Sequence, residues 1–258
     1  MWIVYLGLIN LFLLIISLIF FMPKDFIKTN IKFSVIKNSL NKQLLFLIII
    51  FIIVALQLIE VKFIDPGVTK WVGHDYANNI RGIEGNTVFW FSQHWTPAIL
   101  YFFVIIYIGV YPFTLWFIPL YFLVCDQKKA MKSLAYGLLI IYLVALPFYL
   151  FIPVTNVYTF YNVHSALETV FPSVDTFFYS TTTTNNCLPS LHTAMTILIA
   201  YCISLTGNKK LKIFGYFVMT TVIISVIYLS IHWLTDVITG MIVALGAIFI
   251  LQRYIKDK

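Results

Sequence analysis

Seven apolar runs divide this chain, at about 1–22, 44–61, 97–124, 132–153, 190–206, 211–231 and 233–252. Each is long enough to cross a bilayer, because roughly 20 residues at about 1.5 Å rise span a ~30 Å hydrocarbon core. With 61% hydrophobic and only 10% charged residues among 258, and a mean hydropathy of +0.93, the chain lacks the charge a soluble surface needs. The reading is all-α: a polytopic transmembrane helical bundle of about seven spans. The first run, Met1 to Met22, has no basic n-region or small-residue cleavage site and reads as a retained span. The third carries Gly109, Pro112 and Pro119, which favour a kink or tilt.

Lysine and arginine placement gives the orientation, since cytoplasmic loops hold the excess. Lys24, Lys28, Lys32, Lys37 and Lys42 fall in the first loop, Lys128, Lys129 and Lys132 in the third, Lys209, Lys210 and Lys212 in the fifth, and Arg253, Lys256 and Lys258 in the tail. Seven spans put all four segments on one side and leave only Lys62, Lys70 and Arg81 opposite, so the N-terminus is expected outside and the C-terminus inside. The domain reading follows: 1–61 as N-terminal transmembrane helices with a basic cytoplasmic loop, 62–96 as an extracytoplasmic loop, and 97–258 as a transmembrane core with a second outer loop at 154–189. The net charge of +7 lies in short clusters between apolar runs, so topology accounts for it better than nucleic acid does. Cys125, Cys187 and Cys202 sit in three different settings, so no disulfide framework or cysteine-based metal site is argued, and Cys187 reads as a bystander. Trp90, Trp95, Trp116 and Trp233 lie near span ends or inside spans, where interfacial anchoring and lipid-facing packing are both open readings.

Two histidines open apolar runs forty residues apart, in Pro189-Ser190-Leu191-His192 and His232-Trp233-Leu234-Thr235-Asp236. Forty residues is one helix down and one back, so both imidazoles are expected at the same membrane rim. His232 and Asp236, four apart, share a helix face, where the carboxylate orients the ring and raises its basicity. An acid one turn into a span is costly and is a functional candidate by default. Pro189 and Ser190 suit a helix start, whose free N–H groups favour an anion such as phosphate.

These motifs resemble those of the type 2 phosphatidic acid phosphatase superfamily, whose pattern is Lys-x6-Arg-Pro, then Pro-Ser-Gly-His, then Ser-Arg-x5-His-x3-Asp. The second is Pro189-Ser190-Leu191-His192 here, with leucine in the glycine slot as in the inositol phosphorylceramide synthase-like branch. The third is Ser225-Val226, five residues, His232, three residues and Asp236. The resemblance covers roughly residues 80–250 and is closest to archaeal members of that branch. It implies a six-helix phosphatase core plus one N-terminal helix. It also implies that His232 is the nucleophile that becomes a phosphohistidine, that Asp236 orients and charges it, and that His192 protonates the departing alkoxide. No metal or other cofactor is called for.

The chain departs from the pattern at its cations. Val226 stands in place of the third motif's arginine, and the stretch Pro147 to Asn156, where the first motif belongs, has no basic residue. Phosphoryl transfer relies on positive groups and hydrogen bonds at the equatorial oxygens. The substrate-binding candidates are therefore Arg81, with Glu84 one turn on to hold it, and Ser190 and Asn186 as neutral partners, with Asn185 beside them. His94 and His164 are further candidates that more often serve as interfacial or loop-capping residues. The expected activity is metal-independent hydrolysis of a lipid phosphate or pyrophosphate, of polyprenyl or phospholipid type, by a multi-pass cell-membrane protein with its site on the extracytoplasmic side. Headgroup transfer of the inositol phosphorylceramide synthase type is the alternative, and a transporter or inactive scaffold the alternative of another class. The expected partners are the lipid phosphate and the bilayer, with no nucleic acid.

Overall fold

In the computed structural model, residues 2–23, 33–175, 179 and 182–255 are described, and they are helical throughout apart from connections and one isolated parallel bridge between Val154 and Asn186. The first span is α1 (Trp2–Phe21), and the second is α2 (Phe33–Ile59). A π-turn at Glu60–Ile64 carries α2 on into α3 (Asp65–Val72). Two short helices follow, α4 (Ala77–Glu84) and α5 (Thr87–Ser92). The third span comprises α6 (Pro97–Ile105), a π-turn at Ile106–Val110 and α7 (Tyr111–Val124). Next come α8 (Lys128–Phe151), the short α9 (Val157–Phe160) and α10 (Ala166–Val170), then α11 (Leu191–Ser204), α12 (Lys209–Tyr228) and α13 (Leu234–Tyr254). Among the described residues, six helices are long and apolar enough to cross a membrane, and α11 is a shorter apolar one.

Three expectations change. The run at 190–206 yields only the 14 residues of α11, ~21 Å of helix, which falls short of a full span. The second span is longer than 44–61: an apolar helix extends from Ile36 to Val72, 37 residues. Its early part is helical because its polar side chains find a distant partner. Ser39 Oγ donates to Asp126 at 3.1 Å, Gln43 Nε2 donates to the same carboxylate at 3.3 Å, and Lys42 Nζ lies 3.5 Å away. The expected loop at 62–96 is largely the helices α3, α4 and α5. Lys24, Lys28, Lys32, Lys256, Lys258 and Thr181 lie outside the described residues.

The expected bend in the third span is a π-turn, and the second span has another. Each immediately precedes a residue followed by proline: Asp65-Pro66 and Tyr111-Pro112. A proline lacks the N–H that the carbonyl four residues back would accept, and the ladder slips by one. Thus Tyr111 N–H donates to Ile106 O and Asp65 N–H to Glu60 O, each five residues back.

At the centre of the bundle, α11 packs against α7, α8, α12 and α13. Glycines on three neighbours make room for it. A Cβ at Gly137 of α8 would run into the Leu198 side chain; one at Gly215 of α12 would lie 2.8 Å from Ile203, and one at Gly240 of α13 2.5 Å from the Ser190 carbonyl oxygen. Outward faces carry Phe51, Phe63, Leu143, Ile213, Leu245 and Phe249, all exposed, as a lipid solvent allows. At the basic end, Asn208 caps α12 by accepting from Leu211 N–H at 3.1 Å, while its amide donates to Phe21 O and the Tyr121 hydroxyl, tying α1 and α7 to α12.

Candidate active site

The N-termini of α11 and α13 meet at the end of the bundle opposite Lys128, Lys209 and Arg253, and their first turns hold each other in register. Ser190, the N-cap of α11, accepts from Thr193 N–H at 3.3 Å, and its own N–H donates to the Asp236 carbonyl at 2.9 Å. The Tyr149 hydroxyl donates to Pro189 O at 2.7 Å, fixing the same turn to α8. Before α13, Ser230 takes a positive φ of 56°, so that the N–H groups of Ile231 and His232 both donate back to Val226 O at 3.0 Å.

Three N–H groups at the start of α13 are answered by carboxylates. Trp233 N–H donates to Asp236 Oδ2 at 2.8 Å, Leu234 N–H to Glu84 Oε2 at 2.9 Å, and Thr235 N–H to Glu84 Oε1. Unpaired helix-end donors are costly when buried, so α4 is anchored here by its Glu84.

These constraints bring the side chains into a chain of contacts. The Tyr107 hydroxyl lies 3.0 Å from His192 Nε2, His192 Nδ1 lies 3.2 Å from His232 Nε2, and His232 Nδ1 lies 3.3 Å from Asp236 Oδ2. One assignment of hydrogens satisfies the whole row: Tyr107 O–H to His192, His192 Nδ1–H to His232, and His232 Nδ1–H to Asp236. It leaves the Nε2 lone pair of His232 facing His192, where an incoming phosphorus would sit. The expectation that Asp236 raises the basicity of His232 is outweighed, because burial pushes the imidazole well below its usual range. His232 therefore rests neutral, as a nucleophile must. The His192 ring also lies between Tyr107 and Tyr111, with centroids at 4.9 and 5.1 Å.

Below this row opens a cavity of about 510 Å³ whose walls are mostly aliphatic and aromatic. Its upper wall carries His192, His232, Tyr107, Tyr179, Thr183 and Asn186. Among the described residues no lysine, arginine or carboxylate lines it.

The other candidates are distributed unevenly. Asn186 lines the cavity; its amide donates to buried Glu60 at 3.2 Å, and among the described residues its Oδ1 and the Thr183 hydroxyl have no partner. Asn185 donates to Thr69 Oγ1 at 3.0 Å, so the loop before α11 is clipped to the α2–α3 helix. Ser190 is fully buried, its oxygen occupied by the helix cap, and it does not line the cavity. Arg81 is exposed, with its guanidinium 5.7 Å over the Tyr161 ring, and Glu84 serves α13 instead of holding it. His94 Nδ1–H donates to Trp90 O at 2.8 Å just after α5, with its ring stacked on Trp90, and His164 is exposed between α9 and α10.

Two residues of the site escaped sequence reasoning. Tyr107 lies on the π-turn of another span; the only signal was the Gly109 and Pro112 bend. Cys187, read as a bystander, is buried beside the pair: its sulfur, a His232 ring nitrogen and an Asp236 oxygen lie within 4.8 Å of one another, a set that could hold a metal ion. His232 Nδ1 is already engaged by Asp236, and Asp236 Oδ1 has no partner among the described residues.

The sequence model of the PAP2 superfamily matches residues 83–250, from the end of α4 to the last turns of α13. No curated protein and no solved structure gives a match.

Proposed function

Because this chain belongs to the PAP2 superfamily and is a multi-helix protein of membrane-spanning character, with the phosphatase-type chemistry that membership indicates, we propose that it hydrolyses a lipid phosphate or pyrophosphate through a phosphohistidine on His232. The observation that carries this reading is the row Asp236, His232, His192 and Tyr107 at the mouth of an apolar cavity. Covalent catalysis divides one hard displacement into two easier ones.

In the first step the phosphoryl group enters between the two rings and displaces their contact. His232 Nε2 then forms the bond to phosphorus while the bond to the ester oxygen breaks, and Asp236 supports the positive charge that grows on the ring. His192, held as imidazolium by the negative phosphate beside it, gives its Nδ1 proton to the departing alkoxide; Tyr107 keeps the ring in place. Water then gives a proton back to His192 and attacks phosphorus, releasing phosphate and restoring His232. No step calls for a metal. Asn186 is the substrate-binding side chain this reading assigns: the amide N–H not given to Glu60 is the donor for a phosphate or ester oxygen. The excess of lysine and arginine in the segments at the far end of the bundle supports a site on the extracytoplasmic side of the cell membrane.

Headgroup transfer is a second reading with its own support. Among the described residues the cavity wall has no lysine or arginine, and the Thr183 hydroxyl and Asn186 Oδ1 have no partner, which suits a monoanionic diester and an alcohol better than a dianion and water. Purified protein is offered lipid phosphates with and without alcohol acceptors, alongside His232→Ala. The phosphatase reading expects free phosphate that vanishes in the variant. Product carrying the acceptor, without phosphate release, would favour transfer, and inactivity of the wild type on every lipid would favour a scaffold or transporter.

A further inference from the structure

The cavity continues far below the histidines, and one of its walls belongs to a helix outside residues 83–250. Along the third span it is lined from Tyr107 to Pro119, twelve residues apart and so ~18 Å of helix, slightly more than half of a ~30 Å hydrocarbon core. Along α2 and the π-turn after it the lining runs from Ile50 to Val61, eleven residues apart and so ~16 Å. The two walls therefore agree on a slot one leaflet deep. Its lower part is apolar: Ile50, Val54, Leu115, Pro119, Leu138 and Ile199.

This slot also opens sideways. Val54 and Leu58 line it and are yet 49% and 44% exposed, so the same side chains face the cavity and the surrounding hydrocarbon. Leu6 of α1 reaches the cavity from beyond α7, because α1 packs on the π-turn, α7 and α12, whereas α2 packs on α7 and α8. A soluble headgroup has no use for a deep apolar slot with a lateral opening. A hydrocarbon chain arriving in the plane of the membrane fits it.

We infer that this slot seats one hydrocarbon chain of the substrate, admitted from the bilayer past Val54 and Leu58, and that α2 with the lower half of α7 sets the chain length accepted. The inference rests on the lipid-phosphatase reading of the histidine row. The selection is steric. Moving a chain from lipid into an apolar slot gains little hydrophobic energy, since lipid tails are as apolar as leucine, so the floor and walls discriminate by packing. Ile50, Leu115 and Pro119 lie at the deep end and are the side chains that would meet the tip of a long chain.

The test compares octyl and hexadecyl phosphate as substrates of the full-length protein in detergent. For Ile50→Trp, which fills the deep end, the ratio of kcat/KM for hexadecyl over octyl phosphate is expected to fall about tenfold. Phe249→Trp, on the lipid-facing side of α13 and away from the cavity, is expected to leave that ratio unchanged. An unchanged ratio in Ile50→Trp, or an equal fall for both chain lengths, would overturn the inference. A second measurement does not depend on that variant folding: hexadecyl phosphate with a diazirine at its chain end is photolysed on the wild type. Labelling at Ile50, Leu115 or Pro119 supports the slot; labelling confined to outward residues such as Leu245 and Phe249 refutes it. Wild-type protein that labels in the slot yet hydrolyses neither substrate would contradict the phosphatase reading while leaving the chain site standing.

Discussion

Gly240→Ala is a small change at the contact that sets the site's geometry. An added Cβ would lie 2.5 Å from the Ser190 carbonyl oxygen and 3.2 Å from Thr193 Cβ. To reach even the 3.0 Å limit the two helices must part by 0.5 Å, and by 0.9 Å to reach ordinary contact at 3.4 Å. The obstructing oxygen is backbone, and it accepts from Ala194 N–H at 3.0 Å, so it cannot rotate away. Intrinsic helix propensity favours alanine by about 1 kcal/mol, whereas overpacking of this kind costs about 1–3 kcal/mol. Because the obstructing atom is backbone, the packing cost lies toward the upper end of that range, and a net destabilisation of up to about 2 kcal/mol is expected. The same displacement moves His192, two residues from Ser190, relative to His232 and Asp236. A misplacement approaching 1 Å at a reacting pair costs on the order of a hundredfold in rate. The assay is thermal unfolding in detergent together with steady-state turnover of a lipid phosphate. Gly246→Ala on the same helix is the control: nothing lies within 4 Å of its added Cβ, and propensity alone should leave it as stable or slightly more stable. Wild-type stability and turnover in Gly240→Ala would refute the claim that the α11–α13 contact positions the histidines.

Three further outcomes follow from the same geometry. Tyr107→Phe removes the hydroxyl at His192 Nε2 and is expected to lower kcat about two- to tenfold with a smaller change in KM; an unaltered kcat would remove Tyr107 from the row. Glu84→Ala leaves the Leu234 and Thr235 N–H groups without their acceptor and is expected to destabilise by about 1–3 kcal/mol and to lower turnover, because α13 then loses the anchor at its first turn. Prolonged chelation is expected to leave turnover unchanged; a loss on chelation that zinc restores would instead place an ion on Cys187, His232 and Asp236.

The spans were legible because an uninterrupted apolar run of bilayer length has few alternatives, and the meeting of His192 with His232 followed from a separation of forty positions folding down and back. Failures came where a partner lies far away in sequence. Ser39, Lys42 and Gln43 read as a basic loop because nothing in their neighbourhood marks Asp126, more than eighty positions on, as their partner. Glu84 looked like the natural holder of Arg81 three residues before it. Two unsatisfied N–H groups at the start of α13 compete better for that carboxylate, and only the folded chain brings them together. Ser190 was correctly read as a helix start, but the cap that makes it so also occupies the oxygen expected to bind phosphate. The bend at Gly109 and Pro112 was visible, whereas its consequence, a π-turn that aims Tyr107 at His192, depends on how the third span packs against α11. The cavity drew on α2, α7, α8 and α11 at once, and no local pattern announces such a space.

The central claim is that His232 carries the phosphoryl group. Protein quenched in denaturant during turnover of a lipid phosphate labelled in its phosphorus, then digested and sequenced by mass spectrometry under alkaline conditions, tests it directly. The expected result is an acid-labile phosphoryl group on His232, present in wild type, and neither that adduct nor phosphate release in His232→Ala. A phosphoryl group on His192 instead, or turnover that survives in His232→Ala, would contradict it.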